Sequence, residues 1–291
     1  MQIRYGFHIE LTLNQPTTLV TLMDIHPSRR GDVIRETPLQ SSQPVPIETF
    51  IDGYGNVSRR LTAGAGGLAL TLEGIVRDSG RHDDVDESAD ALPPSELPAD
   101  VLPFLMGSRY CENDLLSNFA WAQFGHIVGG WARVQAICDF VHDRLRFSYP
   151  EARETRTAAQ AMEERTGVCR DFTHLAIALC RCMNIPARYC TGYLGDIGVP
   201  PDPAPMDFSA WFEAYLDGGW YTFDARRNIP RIGRIVLARG RDAADVAIST
   251  NFGPAKLTRF NIVTDEVKPV PIHDSPATAA ESGVSFALTA S

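Results

Sequence analysis

Cys169 lies in the stretch Thr166-Gly-Val-Cys169-Arg-Asp171-Phe-Thr-His-Leu175, where a glycine and a turn run straight into a helical pattern that opens at the cysteine. Phe172, Leu175, Ala176, Leu179 and Met183 recur at the three-and-four spacing that marks one buried helix face. Cys169 lies three residues before Phe172 and seven before Ala176, so it falls on that same inward face. A thiol in the first turn of a helix meets unpaired backbone N–H groups and the positive end of the helix dipole, and both favour the thiolate. This is a setting for a sulfur nucleophile. It also suits a small core cysteine, and the first-turn position tips the reading toward the nucleophile.

A second pair of residues converges through a hairpin. Ser209-Ala-Trp-Phe-Glu-Ala-Tyr-Leu and Trp220-Tyr-Thr-Phe-Asp224 read as two strands around Asp217-Gly218-Gly219. A two-residue loop at Asp217-Gly218 pairs Ser209 with Arg226, and one at Gly218-Gly219 pairs it with Asn228. Either register sets Ser209 and Asp224 on one face, one or two pleats apart. Arg226 shares that face and offers a fixed positive charge for a thiolate. His174 lies five residues after Cys169, ~140° round the helix and ~7.5 Å along it, so it points away from the thiol as a packing residue.

The elements that must position these groups follow from periodicity. Ile3, Tyr5, Phe7, Ile9, Leu11 and Leu13 alternate with mostly polar residues, which is the pattern of a half-buried strand. Further β-prone runs at Thr18–Ile25 and Leu68–Val76 make residues 1–80 a β-rich domain, a small sandwich. Residues 81–104 are acidic and proline-rich, and low hydrophobicity with clustered acid predicts an exposed linker. Helical spacing then runs from Trp131 to Leu145, and Thr157-Ala-Ala-Gln160 is a capping box that opens a short helix before Cys169. Ala187–Tyr193 reads as a strand and Val199–Pro205 as a stiff loop, and Leu257–Val263 is a last alternating strand. Residues 266–291 keep no period and read as a loose tail.

Composition removes several function classes. The 291 residues are 44% hydrophobic and 22% charged, an ordinary globular balance, and the net charge of -9 repels nucleic acid and anionic lipid. No apolar run approaches the roughly 20 residues that cross a bilayer, and Met1-Gln-Ile-Arg-Tyr-Gly6 lacks the order of a signal peptide. A cytoplasmic address and no nucleic-acid or membrane partner are therefore expected. The six cysteines form no CxxC pair, so a reduced set with no metal and no cofactor is the simplest account.

A cysteine at a helix start, a strand ending in Ala-Trp and a partner strand bearing Phe-Asp together resemble the transglutaminase-like superfamily. Gly167-Val-Cys169-Arg-Asp171-Phe, Ile185-Pro-Ala-Arg188, Gly192-Tyr193 and Arg239-Gly-Arg-Asp-Ala-Ala-Asp245-Val fit it over residues 105–265. The resemblance implies an α+β fold, a papain-like core whose cysteine-bearing helix packs on an antiparallel sheet, after an N-terminal β-sandwich-like domain. It also implies a Cys-His-Asp triad for acyl transfer or amide hydrolysis, as in bacterial cysteine proteases of this type. Carried over by position, Cys169 is the nucleophile and Asp224 the orienting acid. The histidine of Asp-x-His-Ala-Trp is replaced, since the chain reads Asp207-Phe-Ser209-Ala-Trp211. Serine cannot accept the proton at neutral pH. Two functions follow: a thiol hydrolase or acyltransferase with an altered triad, or an inactive relative that binds peptides or proteins. The expected substrate is a peptide or protein amide or a small acyl donor, and oligomeric state is not legible.

Overall fold

A computed structural model describes residues 1–268. The expected tail falls almost wholly outside them. The first strands are β1 (Gln2–Leu13), β2 (Thr17–Thr21), β3 (Val33–Glu36), β4 (Gln40–Ser41), β5 (Ile47–Ile51), β6 (Val57–Ala63) and β7 (Gly66–Arg77). The middle of the chain gives α1 (Asn113–Phe124), α2 (Gly130–Arg144), β8 (Arg146–Phe147), α3 (Ala158–Glu164), β9 (Thr166–Gly167) and α4 (Cys169–Cys182). The rest is β10 (Ala187–Tyr193), β11 (Ser209–Leu216), β12 (Gly219–Phe223), β13 (Ile235–Gly240), β14 (Ser249–Phe252) and β15 (Ala255–Glu266).

The alternation in β1 works as read. Ile3, Tyr5, Phe7, Ile9, Leu11 and Leu13 are all buried, each contributing roughly 1.5–3 kcal/mol of apolar transfer for the larger side chains. β1 lies between β7 and β15 in one sheet, and β2 lies between β6 and β14 in a second. The two sheets share one apolar core that includes Leu19, Leu61 and Leu70. The sandwich is thus completed from far along the sequence, because β14 and β15 supply one strand to each sheet.

The third sheet has the order β12-β11-β10-β13 and is antiparallel throughout. Ala210, Phe212, Ala214 and Leu216 point to one side, where they meet Leu175, Ala176 and Leu179 of α4. Tyr193, Ile235 and Leu237 point to the other and join the sandwich core. Tyr5 and Tyr193 bring their ring centroids to 5.4 Å across this junction. The hairpin closes on Asp217-Gly218, both at positive φ, as a two-residue turn that matches strand twist. Phe212 pairs with Phe223, the register expected for that loop, and the pairing ends there because the chain turns at Asp224–Asn228.

Two elements differ from their sequence reading. The helix α4 is buried all round from Asp171 to Cys182, instead of on one face. Bonds across the core make this tolerable: Asp171 accepts from Arg156 Nη1 at 3.1 Å and from the Val168 N–H at 2.9 Å. The acidic stretch is also less exposed than its composition predicts. Asp83 accepts from the Arg231 N–H at 2.8 Å and from Arg234 Nε at 2.9 Å, while Ala89, Leu97, Val101 and Phe104 are buried. It forms a strap over the β11–β12 hairpin, held by arginines whose distance in sequence hides them from any local reading.

Candidate active site

Cys169 is the first residue of α4, set there by a tight approach. Gly167 leaves no room for a side chain, since a Cβ would stand 2.5 Å from the Asp171 Cβ. The Asp171 carboxylate in turn accepts the Val168 N–H and caps the helix. Cys169 is half-buried, whereas the other five cysteines are buried. This is the cysteine a reagent or substrate can reach.

Ser209, the first residue of β11, stands opposite Gly192 of β10 and beside Cys169. Both line two cavities that meet at the thiol. The smaller, of about 60 Å³, includes Tyr149, Asp202, Asp207 and Arg226 in its wall. The larger, of about 650 Å³, has Tyr110, Arg153, Arg170, Tyr189 and the run Val246–Ile248 in its wall. Asp224 lies just past the end of β12, at the start of a turn, and its carboxylate is committed elsewhere. Oδ1 accepts the N–H groups of Arg226 and Arg227 at 3.1 and 3.0 Å, and Oδ2 accepts Arg234 Nη2 at 3.2 Å. It lines a neighbouring cavity of about 250 Å³ with Trp131 and Cys138. Cys169 and Ser209 come together; Asp224 is held one step away.

The electrostatics reverse the first expectation for the thiol. Burial pushes Cys169 up to about 11, and the opposing pull of Arg226 does not compensate for it. Arg226 sits 3.7 Å over the Phe147 ring, which fixes its charge near the sulfur. The helix terminus and one cation are outweighed by desolvation and by the carboxylates of Asp207 and Asp224.

His174 packs as expected. It is fully buried, stacks on Tyr110 with centroids 5.0 Å apart, and accepts the Ala243 N–H on Nε2 at 3.1 Å. Burial and the Arg170 charge hold its imidazole well below its ordinary value. His142 bonds the Arg226 carbonyl at 3.0 Å, and His8 lies on β1 between Thr71 and Glu10. Among the described residues, no histidine lines either cavity at Cys169. The residues that sequence reasoning passed over are Asp207 and the Arg234–Asp83 clamp on Asp224. Asp207 was visible two positions before Ser209, whereas Asp83 lies 151 residues from Arg234 and carries no local signal.

The thiols also set an alkaline limit. Burial raises all six cysteines, Cys111 to about 12 and Cys182 to about 11 among them. The native chain therefore keeps protons that the unfolded chain releases above about pH 8.5, and stability must fall as pH rises past that value. Under reducing conditions the urea midpoint at pH 9.5 is expected below that at pH 8; equal midpoints would contradict the burial of these thiols.

Comparison with known proteins gives consistent relatives. The family model of the Transglutaminase-like superfamily matches residues 127–225, a span that contains Cys169, Ser209 and Asp224. A solved structure from Cytophaga hutchinsonii, described as a "Putative Cysteine Protease", is 31% identical. It superposes with a TM-score of 0.80 over 93% of this chain and 92% of that one. An uncharacterized protein of Mycobacterium leprae is 34% identical over 90 residues, a stretch that spans 30% of this chain and 32% of its own length. Another from Mycobacterium tuberculosis is 26% identical over 222 residues, covering 70% of this chain and 71% of that protein. No helix among the described residues is long and apolar enough to cross a membrane.

Proposed function

We propose, from the premise that this chain belongs to the transglutaminase-like superfamily, that it is a thiol hydrolase or acyltransferase working through Cys169. Its triad is altered: Ser209 stands where the family carries histidine, and Asp224 keeps the third position. One observation carries this reading. Cys169 alone among the cysteines is reachable, and it sits at the helix start where two cavities meet. A nucleophile at a junction can hold an acyl group in one cavity while the leaving or accepting group occupies the other. The larger cavity, whose wall mixes apolar residues such as Val246 and Ile248 with Arg153 and Arg170, suits the acyl portion of a peptide or protein amide or of a small acyl donor.

A second reading has its own support. A thiol held up to about 11 and an Asp224 carboxylate tied to Arg234 describe a disarmed site that binds peptides without cleaving them. The two readings separate on acylation. Incubation with p-nitrophenyl acetate followed by intact-mass and peptide spectrometry is expected to place an acetyl group on Cys169, and Cys169→Ser is expected to lose it. Absence of any Cys169-dependent adduct or turnover would favour the binding module.

A further inference from the structure

The altered triad leaves a chemical vacancy, because neither Ser209 nor Arg226 can both take up and release a proton at neutral pH. The carboxylates around the thiol differ in how far they are committed. Asp224 is held by Arg234 and two backbone N–H groups. Asp202 pairs with Arg227 at 3.5 Å, and Asp196 faces Arg231 at 3.7 Å while accepting the Asp202 N–H at 2.7 Å. Asp207 has no such partner: among the described residues, no arginine, lysine or histidine lies within ion-pairing distance of it. It is also the carboxylate that, like Cys169 and Ser209, lines both cavities.

Resting on the thiol-enzyme reading above, we propose that Asp207 is the site's general acid–base group and takes over the proton transfers that histidine performs in the triad. As the Sγ–C bond forms to the acyl carbon, the thiol proton passes to the Asp207 carboxylate. When the tetrahedral intermediate collapses, the bond from the acyl carbon to its nitrogen or oxygen leaving group breaks, and Asp207 returns the proton to the departing atom. A water or amine then attacks the thioester and gives its proton to Asp207, which passes it to the released Sγ. Each half-reaction ends with the carboxylate restored.

The surroundings support this assignment. Burial raises the Asp207 carboxyl above its ordinary range, partly offset by the Phe208 N–H and by Arg226, which makes it a better proton acceptor than an exposed carboxylate. Asp207 and Cys169 also raise Tyr149, whose first cause is burial, so these groups share one field with Arg226. Asp224 acts on the sulfur as well, and Tyr189 feels it.

A base and a mere neighbour predict opposite signs for two rates at the same sulfur. Asp207→Asn removes a negative charge beside Cys169, so alkylation by iodoacetamide, which reads the thiolate population, is expected to quicken. Acyl transfer from p-nitrophenyl acetate by the same variant is expected to fall about 100-fold or more, the scale of general acid–base catalysis. Asp207→Glu is expected to recover part of that transfer. Cys169-dependent turnover that stays within a few-fold in Asp207→Asn overturns the assignment, as does a parallel fall of both rates, which would mark a structural role. Ester turnover that survives Cys169→Ser instead overturns the thiol reading on which the assignment rests.

Discussion

Arg181→Met is expected to destabilise the protein by about 3–5 kcal/mol, the cost of leaving several buried acceptors without their donor. Arg181 is 2% exposed and lies near the end of α4. Its Nη2 donates to the carbonyls of Ala187 at 2.8 Å and Arg241 at 2.6 Å, and its Nη1 donates to the Met106 carbonyl at 3.0 Å and to Ser108 Oγ at 3.1 Å. Methionine matches the volume of the stem and leaves these acceptors buried without donors, each worth about 1–3 kcal/mol. One guanidinium thus joins α4 to β10, to the segment before α1 and to the loop that leads into the wall of the larger cavity. Arg181→Lys is expected to recover only a part, because a point charge cannot serve acceptors in a planar fork. Urea unfolding of the three proteins measures this. A loss below about 1 kcal/mol for the methionine variant would show that the network contributes no more than a surface pair.

The second large effect concerns the thiol itself. A cysteine held up to about 11 presents a thiolate fraction on the order of 10⁻⁴ at pH 7, against roughly 3% for an ordinary thiol near 8.5. Iodoacetamide is therefore expected to label Cys169 slowly at neutral pH and about tenfold faster for each unit of pH until the thiol ionises. Ser209→His places an imidazole beside the sulfur and is expected to quicken labelling at pH 7 by about tenfold or more, through a thiolate–imidazolium pair. Adding Asp224→Ala to that variant should remove part of the gain if the carboxylate orients the ring. Peptide mass spectrometry across a pH series reads all three proteins. Fast labelling of the wild type well below pH 8.5 would contradict the desolvated thiol, and an unchanged rate in Ser209→His would place position 209 out of reach of the sulfur.

The acidic strap shows why local composition misleads. Its aspartates read as solvent-seeking, yet Asp83 is drawn onto the sheet by Arg231 and Arg234. A charge pattern tells what a segment can bind and is silent on what the fold sets opposite it. The same limit applies to α4. The spacing of Phe172, Leu175 and Leu179 reveals one apolar face, but only packing on all sides explains why Asp171, His174 and Arg181 are buried as well.

What the sequence determined by itself was local and periodic: the alternation of β1, the capping box at Thr157, the two-residue turn at Asp217-Gly218, and a cysteine opening a helix. These depend on backbone preferences and side-chain direction over a few residues, which the order of amino acids fixes directly. The tertiary structure decided the rest. It drew β14 and β15 into the N-terminal sandwich, tied Asp224 to Arg234, and set Cys169 where partial desolvation outweighs the helix terminus and Arg226. Long-range pairing and desolvation are sums over groups far apart in the chain, so no window of sequence contains them.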